Sequence, residues 1–255
     1  MKIAVTGKGG VGKTTIAASL ARLYAADAER VLAVDADPDA NLGLALGFTD
    51  HELARVKPIA DMSELIAERT KSGSGGPGAF FKINPRVDDI PARFSVDKDG
   101  VKLLVMGTVD TGGGGCVCPE HVVLRRVVSH LVVKSGEVVI MDMEAGIEHL
   151  GRGTARMVDK FIVVVEPGSR SIQTYERIKR LAADLGVTNV SVVGNKVTGL
   201  ADEDFIAARA PQSELLGFVG YHTNLMGADR SGKPAIEADA IFAEEMRRIK
   251  ENLDR

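Results

Sequence analysis

The stretch Lys2-Ile-Ala-Val-Thr-Gly7-Lys8-Gly-Gly-Val-Gly12-Lys13-Thr14-Thr15, running straight into Ile-Ala-Ala-Ser-Leu-Ala, decides the fold. An apolar run, a glycine-rich turn and a helix-forming sequence follow one another without a break, which predicts strand, loop and helix in that order. Gly7, Gly12, Lys13 and Thr14 meet the fixed positions of G-x-x-x-x-G-K-[ST]. Lacking Cβ, Gly7, Gly9, Gly10 and Gly12 let the chain wrap an anion with its N–H groups turned inward, at the positive end of a helix that starts near Lys13. The segment is therefore read as a phosphate cradle made of Lys8, Gly9, Gly10, Val11, Gly12, Lys13, Thr14 and Thr15. Lys13 is expected between the β- and γ-phosphates, and the Thr14 hydroxyl in the shell of a Mg²⁺ ion.

The strands around this loop carry little polar alternation, as expected when both faces of a parallel sheet are buried. Arg30-Val-Leu-Ala-Val-Asp35 ends in the acidic turn Asp35-Ala-Asp37-Pro-Asp39-Ala-Asn41. Ligands of open α/β sheets bind at the carboxyl ends of strands, so Asp37 is placed to meet the γ-phosphate side of a nucleotide. Asp39 and Asn41 also suit the cap of a helix beginning at Leu42. Val138-Val-Ile-Met-Asp142 is another apolar strand ending in Asp, followed by Met143-Glu-Ala-Gly146. In that setting Asp142 is expected to hold a Mg²⁺-bound water and the Gly146 N–H to reach the γ-phosphate, the lesser alternative being that Asp142 simply caps its turn.

Further strands at Val101–Met106, Phe161–Val165, Val190–Val193 and Phe218–Tyr221, with helices at Val122–Val133 and Ser171–Leu185, complete an alternating order. The prediction is an α/β fold with a doubly wound, mostly parallel sheet and helices on both faces, a P-loop NTPase in one domain. After the Val190 strand comes Gly194-Asn195-Lys196-Val-Thr198. A guanine-reading N-K-x-D turn needs Asp at its fourth position, and Thr198 stands there. Adenine is the expected base, with Asn195 offering its amide to the base edge or serving as an ordinary turn residue. In the tail, Phe242, Met246, Ile249 and Leu253 share one helical stripe opposite charges of both signs, which suits packing on the domain better than lying on a membrane. Between 49 and 100 the pattern weakens through a polar helix near Asp61–Lys71 and the stretch Ser72-Gly-Ser-Gly-Gly-Pro-Gly78, and this segment is expected to be a mobile surface insertion.

The 255 residues, 45% hydrophobic, suffice for one well-buried core. A net charge of −3 without a Lys/Arg run argues against nucleic-acid partners, and no apolar stretch is long enough to cross a bilayer. With no signal-peptide pattern at its start, the chain is expected to be cytoplasmic, where its two cysteines would not be joined as a disulfide. Cys116 and Cys118 follow Gly112–Gly115 and can both turn towards one soft metal ion, but they supply only two ligands. A closed zinc site wants four, and a two-fold dimer would complete the set with four sulfurs. Ni²⁺ would accept the same donors, and two buried structural cysteines remain the plainer alternative.

Taken together, Lys8-Gly-Gly-Val-Gly-Lys13-Thr-Thr15, Asp37-Pro and the Asp142 strand resemble the deviant Walker A ATPases, the dimeric group that includes MinD and ParA proteins, the arsenite and tail-anchored-protein ATPases and the nitrogenase iron protein. The resemblance implies that Lys8 reaches across a dimer to the partner's nucleotide, that Asp37 in switch I orients the attacking water, and that Asp142 begins switch II. Asp37, Lys8 and Lys13 are then the catalytic set. The Cys-Val-Cys pair, Asp37-Pro-Asp-Ala-Asn and Glu144-Ala-Gly-Ile-Glu148 are similar to the CooC-type nickel-insertion ATPases of carbon monoxide dehydrogenase maturation. That likeness implies an ATP-hydrolysing homodimer in which Cys116 and Cys118 of two protomers hold one Ni²⁺ or Zn²⁺ ion for delivery to an apo-enzyme client. A MinD/ParA-like positioning ATPase, and a maturation ATPase for acetyl-CoA synthase, are the alternatives. An iron–sulfur electron-transfer ATPase fits less well, because its two cysteines per chain come from separate loops.

Overall fold

The computed structural model describes residues 1–71, 82–107, 119–134, 137–144 and 158–255. Among them are eight strands: β1 (Lys2–Gly7), β2 (Val31–Ala36), β3 (Val96–Lys98), β4 (Val101–Val105), β5 (Val138–Met143), β6 (Lys160–Val165), β7 (Val190–Val197) and β8 (Leu215–Gly220). The longer helices are α1 (Lys13–Ala26), α2 (Ser63–Thr70), α3 (Pro119–Lys134), α4 (Ser169–Asp184), α5 (Leu200–Ala207), α6 (Asn224–Ser231) and α7 (Ala240–Leu253). One sheet contains every strand in the order β3-β4-β2-β5-β1-β6-β7-β8. All neighbours are parallel except β3, which runs antiparallel to β4.

The expected doubly wound sheet is what forms. The chain leaves β1 in one direction to build β2 to β4, returns to insert β5 beside β1, and then proceeds the other way through β6 to β8. This reversal next to β1 leaves a crevice at the carboxyl ends of the central strands. Register places Gly7 opposite Val164, Val5 opposite Asp142, and Asp35 opposite Asp142.

Alternation within the strands feeds two cores. Ala4, Phe161 and Val163 turn to one face, where Ile66 of α2, Val127 of α3 and Tyr175 of α4 meet them. Ile3, Val5, Ile162 and Val164 turn to the other, against Ile16 and Leu20 of α1 and the stripe of α7. That stripe packs as expected: Phe242, Met246, Ile249 and Leu253 are each no more than 1% exposed. Burying such side chains contributes about 1.5–3 kcal/mol apiece. The helix begins at Ala240 because the Asp239 carboxylate accepts the Ile241 and Phe242 N–H groups.

Three local expectations are corrected. The described parts of 49–100 are not merely superficial, because Ile59, Leu65, Ile66, Val87 and Ile90 join the first core. Their contacts are spread over short helical segments, so no long period marks them in sequence. Residues 72–81 lie outside the described residues. Gly194, Asn195 and Lys196 are not a turn after the strand but its continuation, with an irregular register between Gly194 and Val197. Finally, Asn41 makes no side-chain cap at the short helix Leu42–Ala45. The carboxylate of Asp35 takes the Leu42 N–H instead, at 2.9 Å.

Candidate nucleotide site

The loop after β1 is held in a shape that only glycine permits at two points. Gly7 has φ 148° and would drive a Cβ into the backbone of Val164; Gly12 has φ 97° and would drive one into the Asn195 amide. Val11, by contrast, is fully buried and anchors the loop in the second core. Gly12 stands at the N-cap of α1, with no side-chain cap and no acidic residue in the first turn. The helix therefore presents unsatisfied N–H groups and the positive end of its dipole to the crevice. A cavity of about 420 Å³ opens there, lined by Gly9, Gly10, Gly12, Lys13, Thr14, Asp37, Pro38, Asp39, Asn41 and Glu144.

Charge in the crevice is arranged unevenly. Lys13 is buried, and its Nζ lies 3.8 Å from Asp37 Oδ2. Lys8 is turned away towards β6, with Nζ 3.0 Å from Glu166 Oε1. Asp142 is completely buried, and neither of its oxygens makes a well-formed hydrogen bond, although the Thr14 hydroxyl lies near enough to favour its charged form. Burial pushes its pKa up to about 7; the Thr14 hydroxyl and Lys13 pull it down, and neighbouring Asp35 and Asp37 push it further up. Asp35 beside it is also raised by burial, to about 6, despite accepting N–H bonds from Leu42 and Asp37.

An orphaned buried carboxylate beside a threonine hydroxyl is an expensive arrangement for a protein alone, and a divalent cation would relieve it. The donor set suits Mg²⁺: hard oxygens from Thr14 and Asp142, next to a loop that accepts phosphate. Held by Thr14 and Asp142, such an ion would offset the negative charge of a bound phosphate. The residues present thus fit Mg²⁺ and a nucleoside triphosphate.

Of the residues singled out from sequence, Lys8, Gly9, Gly10, Val11, Gly12, Lys13, Thr14, Thr15, Asp37, Asp142 and Asn195 come together at the carboxyl edge of the sheet. Asn195 is 7% exposed and its Nδ2 donates to the Val11 carbonyl at 2.7 Å, so its amide supports the loop. Gly146, Cys116 and Cys118 lie outside the described residues. Among the described residues no group of three His, Cys, Asp or Glu side chains is arranged to hold a metal ion, and no helix is long and apolar enough to cross a membrane.

Two participants escaped the sequence reading. Glu166 receives Lys8, and Lys196 donates to the Gly10 carbonyl at 2.6 Å. A signal for Glu166 exists in the sequence: it directly follows the apolar run Phe161–Val165, as Asp142 directly follows the apolar run that opens β5.

The family model for the CobQ/CobB/MinD/ParA nucleotide binding domain matches residues 2–235. The chain is 50% identical over 232 residues to the carbon monoxide dehydrogenase accessory protein CooC of Rhodospirillum rubrum, covering 91% of this chain and 88% of that protein. It is 44% identical to an uncharacterized ATP-binding protein of Methanocaldococcus jannaschii, covering 98% and 96% respectively. Among solved structures, MinD of Pyrococcus horikoshii complexed with Mg-ADP aligns with a TM-score of 0.66 at 20% identity, covering 100% of this chain and 96% of that one. That likeness concerns the fold.

Proposed function

The chain belongs to the CobQ/CobB/MinD/ParA nucleotide-binding family, in the branch that contains CooC, and from that premise we propose that it is an ATP-hydrolysing metallochaperone that binds nickel and delivers it to an apo-enzyme of the carbon monoxide dehydrogenase kind. The observation that carries the nucleotide half is the buried, partnerless Asp142 carboxylate beside Thr14, below an uncapped helix N-terminus. Phosphates would draw Lys13 from Asp37, and Asp37 would then be free to orient water. Mg²⁺ held by Thr14 and, through water, by Asp142 would offset the phosphate charge.

Lys8 is the link to a second copy. On Glu166 it is 3.0 Å from a carboxylate of its own chain, so reaching a partner's nucleotide requires that ion pair to open. Its partial exposure makes the pair weak, on the order of 1 kcal/mol or less, within the reach of a phosphate contact. A nucleotide-dependent homodimer follows, and it would bring together Cys116 and Cys118 of two protomers as four thiolates for one Ni²⁺ or Zn²⁺ ion. The half-identity to a carbon monoxide dehydrogenase accessory protein over 91% of the chain supports nickel-enzyme maturation over the positioning role of MinD and ParA relatives. The charge balance of the chain, near neutral and without a run of Lys and Arg, agrees with that choice.

The test measures molecular mass and metal content together, with no nucleotide, ADP or ATP. The expected result is an ATP-dependent dimer carrying one metal ion per two chains, and a Cys116→Ser, Cys118→Ser double variant that keeps ATP binding but loses the metal. Full metal binding by the double variant would remove the metallochaperone reading.

A further inference from the structure

Lys196 sits in a backbone conformation that lysine seldom adopts. Its φ of 60° is left-handed, at the point where the register of β7 against β8 becomes irregular. The distortion aims the side chain at the phosphate loop, where Nζ donates to the Gly10 carbonyl at 2.6 Å. Its neighbour Asn195 donates to the Val11 carbonyl, so two successive residues of β7 hold two successive carbonyls of the loop. Because a peptide unit is planar, pinning each carbonyl also sets the direction of the next residue's N–H.

The same ammonium lies 3.9 Å from Glu166 Oε2, while Lys8 occupies the other oxygen of that carboxylate at 3.0 Å. One carboxylate is therefore shared by two lysines with different obligations. Lys8 belongs to the mobile chemistry of the loop; Lys196 is tied to a strand and to Gly10. If Lys8 left a carboxylate with no second cation, an uncompensated negative charge would stand beside the phosphate site and oppose the nucleotide.

We propose that Lys196 is a positioning residue of the nucleotide site: it pins the Gly10 peptide and remains as the counter-charge of Glu166 when Lys8 departs. The Glu166 half rests on the nucleotide-dependent pairing described above; the Gly10 half does not. Strain at a non-glycine residue whose side chain reaches a ligand-binding loop and the carboxylate beside it is what such a role requires.

Lys196→Gly is the informative variant, because glycine accepts φ 60° and the side chain is removed without adding backbone strain. It is expected to melt no lower than the parent protein, yet to bind a fluorescent ADP analogue about five- to tenfold more weakly, the scale of one net hydrogen bond, since Lys196 acts through the loop and not on the nucleotide itself. Lys196→Arg, which keeps the charge, should recover at least half of that loss. ATP-driven pairing, read by light scattering, should fall in Lys196→Gly and be restored to within about twofold when Glu166→Gln removes the charge left uncompensated. ADP affinity of Lys196→Gly within twofold of the parent would overturn the Gly10 half. A pairing defect indifferent to Glu166→Gln would overturn the Glu166 half. A parent protein that stays monomeric with ATP overturns the pairing reading and the Glu166 half with it, while the ADP measurement still decides the Gly10 half.

Discussion

Two helices of 14 residues, α1 and α7, lie against each other on one face of the sheet and treat their N-termini in opposite ways. They are tied by a hydrogen bond from the Tyr24 hydroxyl to Asp254, at 2.6 Å, and by an ion pair between Lys250 and Asp27. At the start of α7, Asp239 satisfies two N–H groups; at the start of α1, Gly12 satisfies none with a side chain. A helix that serves only the core closes its own end, since an orphan N–H weakens it and a cap contributes about 1 kcal/mol. A helix that serves an anion leaves that end open. Beside the open end stands the unpartnered Asp142; beside the closed end, Asp239 also accepts from Asn224 and faces His222.

The contrast breaks most visibly if α1 is given the cap it lacks. Gly12→Asp supplies a capping residue, but at φ 97° and against the Asn195 amide, with a negative charge where phosphate belongs. ATP affinity, titrated with a fluorescent analogue, should fall by about 100-fold or more. Binding within a few fold of the parent would show that the open end is not the phosphate site.

A second test concerns the orphan carboxylate. In an unfolded chain Asp ionises near 4, roughly, whereas in the fold Asp142 is pushed up to about 7. Between those values the folded state holds the extra proton, so the nucleotide-free protein should lose stability as pH rises through this window, and Asp35, raised to about 6, acts in the same direction. Asp142→Asn removes its share of that loss. At pH 8 without nucleotide, urea melts should show the variant about 1–3 kcal/mol more stable than the parent, while Mg²⁺-dependent ATP hydrolysis falls steeply. A variant less stable at pH 8 would mean that Asp142 serves the fold rather than the ion. The smallest effect is expected at the closed end: Asp239→Ala should cost about 1 kcal/mol in the same melts and leave ATP affinity unchanged. A matching loss of affinity would tie α7 to the site.

Much of this contrast was legible before any coordinates. The phosphate loop, Asp37 and Asp142 announce themselves through local spacing, because each follows an apolar strand directly, and the buried stripe of α7 follows from its 3.6-residue period. What stayed hidden depends on partners far apart in the chain. Lys8 and Glu166 are 158 residues apart, and Lys196 and Gly10 are 186 apart, so neither pair leaves a local pattern. The cap of the Leu42 helix is hidden from the sequence for a related reason. Asn41 has the right residue type in the right place, but Asp35 reaches the Leu42 N–H from the end of the strand, seven residues back. Similarly, Gly194-Asn195-Lys196 has the composition of a turn, and it is pairing with distant strands on both sides, together with the contacts to the phosphate loop, that keeps it within β7.

The antiparallel strand β3 bears on how two copies could meet. It is three residues long, carries the charged pair Asp97 and Lys98, and ends in the tight Asp99-Gly100 reversal. A strand so short and charged offers no template for another chain to pair with. At the opposite margin β8 is irregular in its pairing and packs against α7. Growth of the sheet from copy to copy is discouraged at both margins, which leaves the loop face for the nucleotide-dependent pairing proposed above, a contact that the nucleotide would make and undo rather than one locked by backbone ladders.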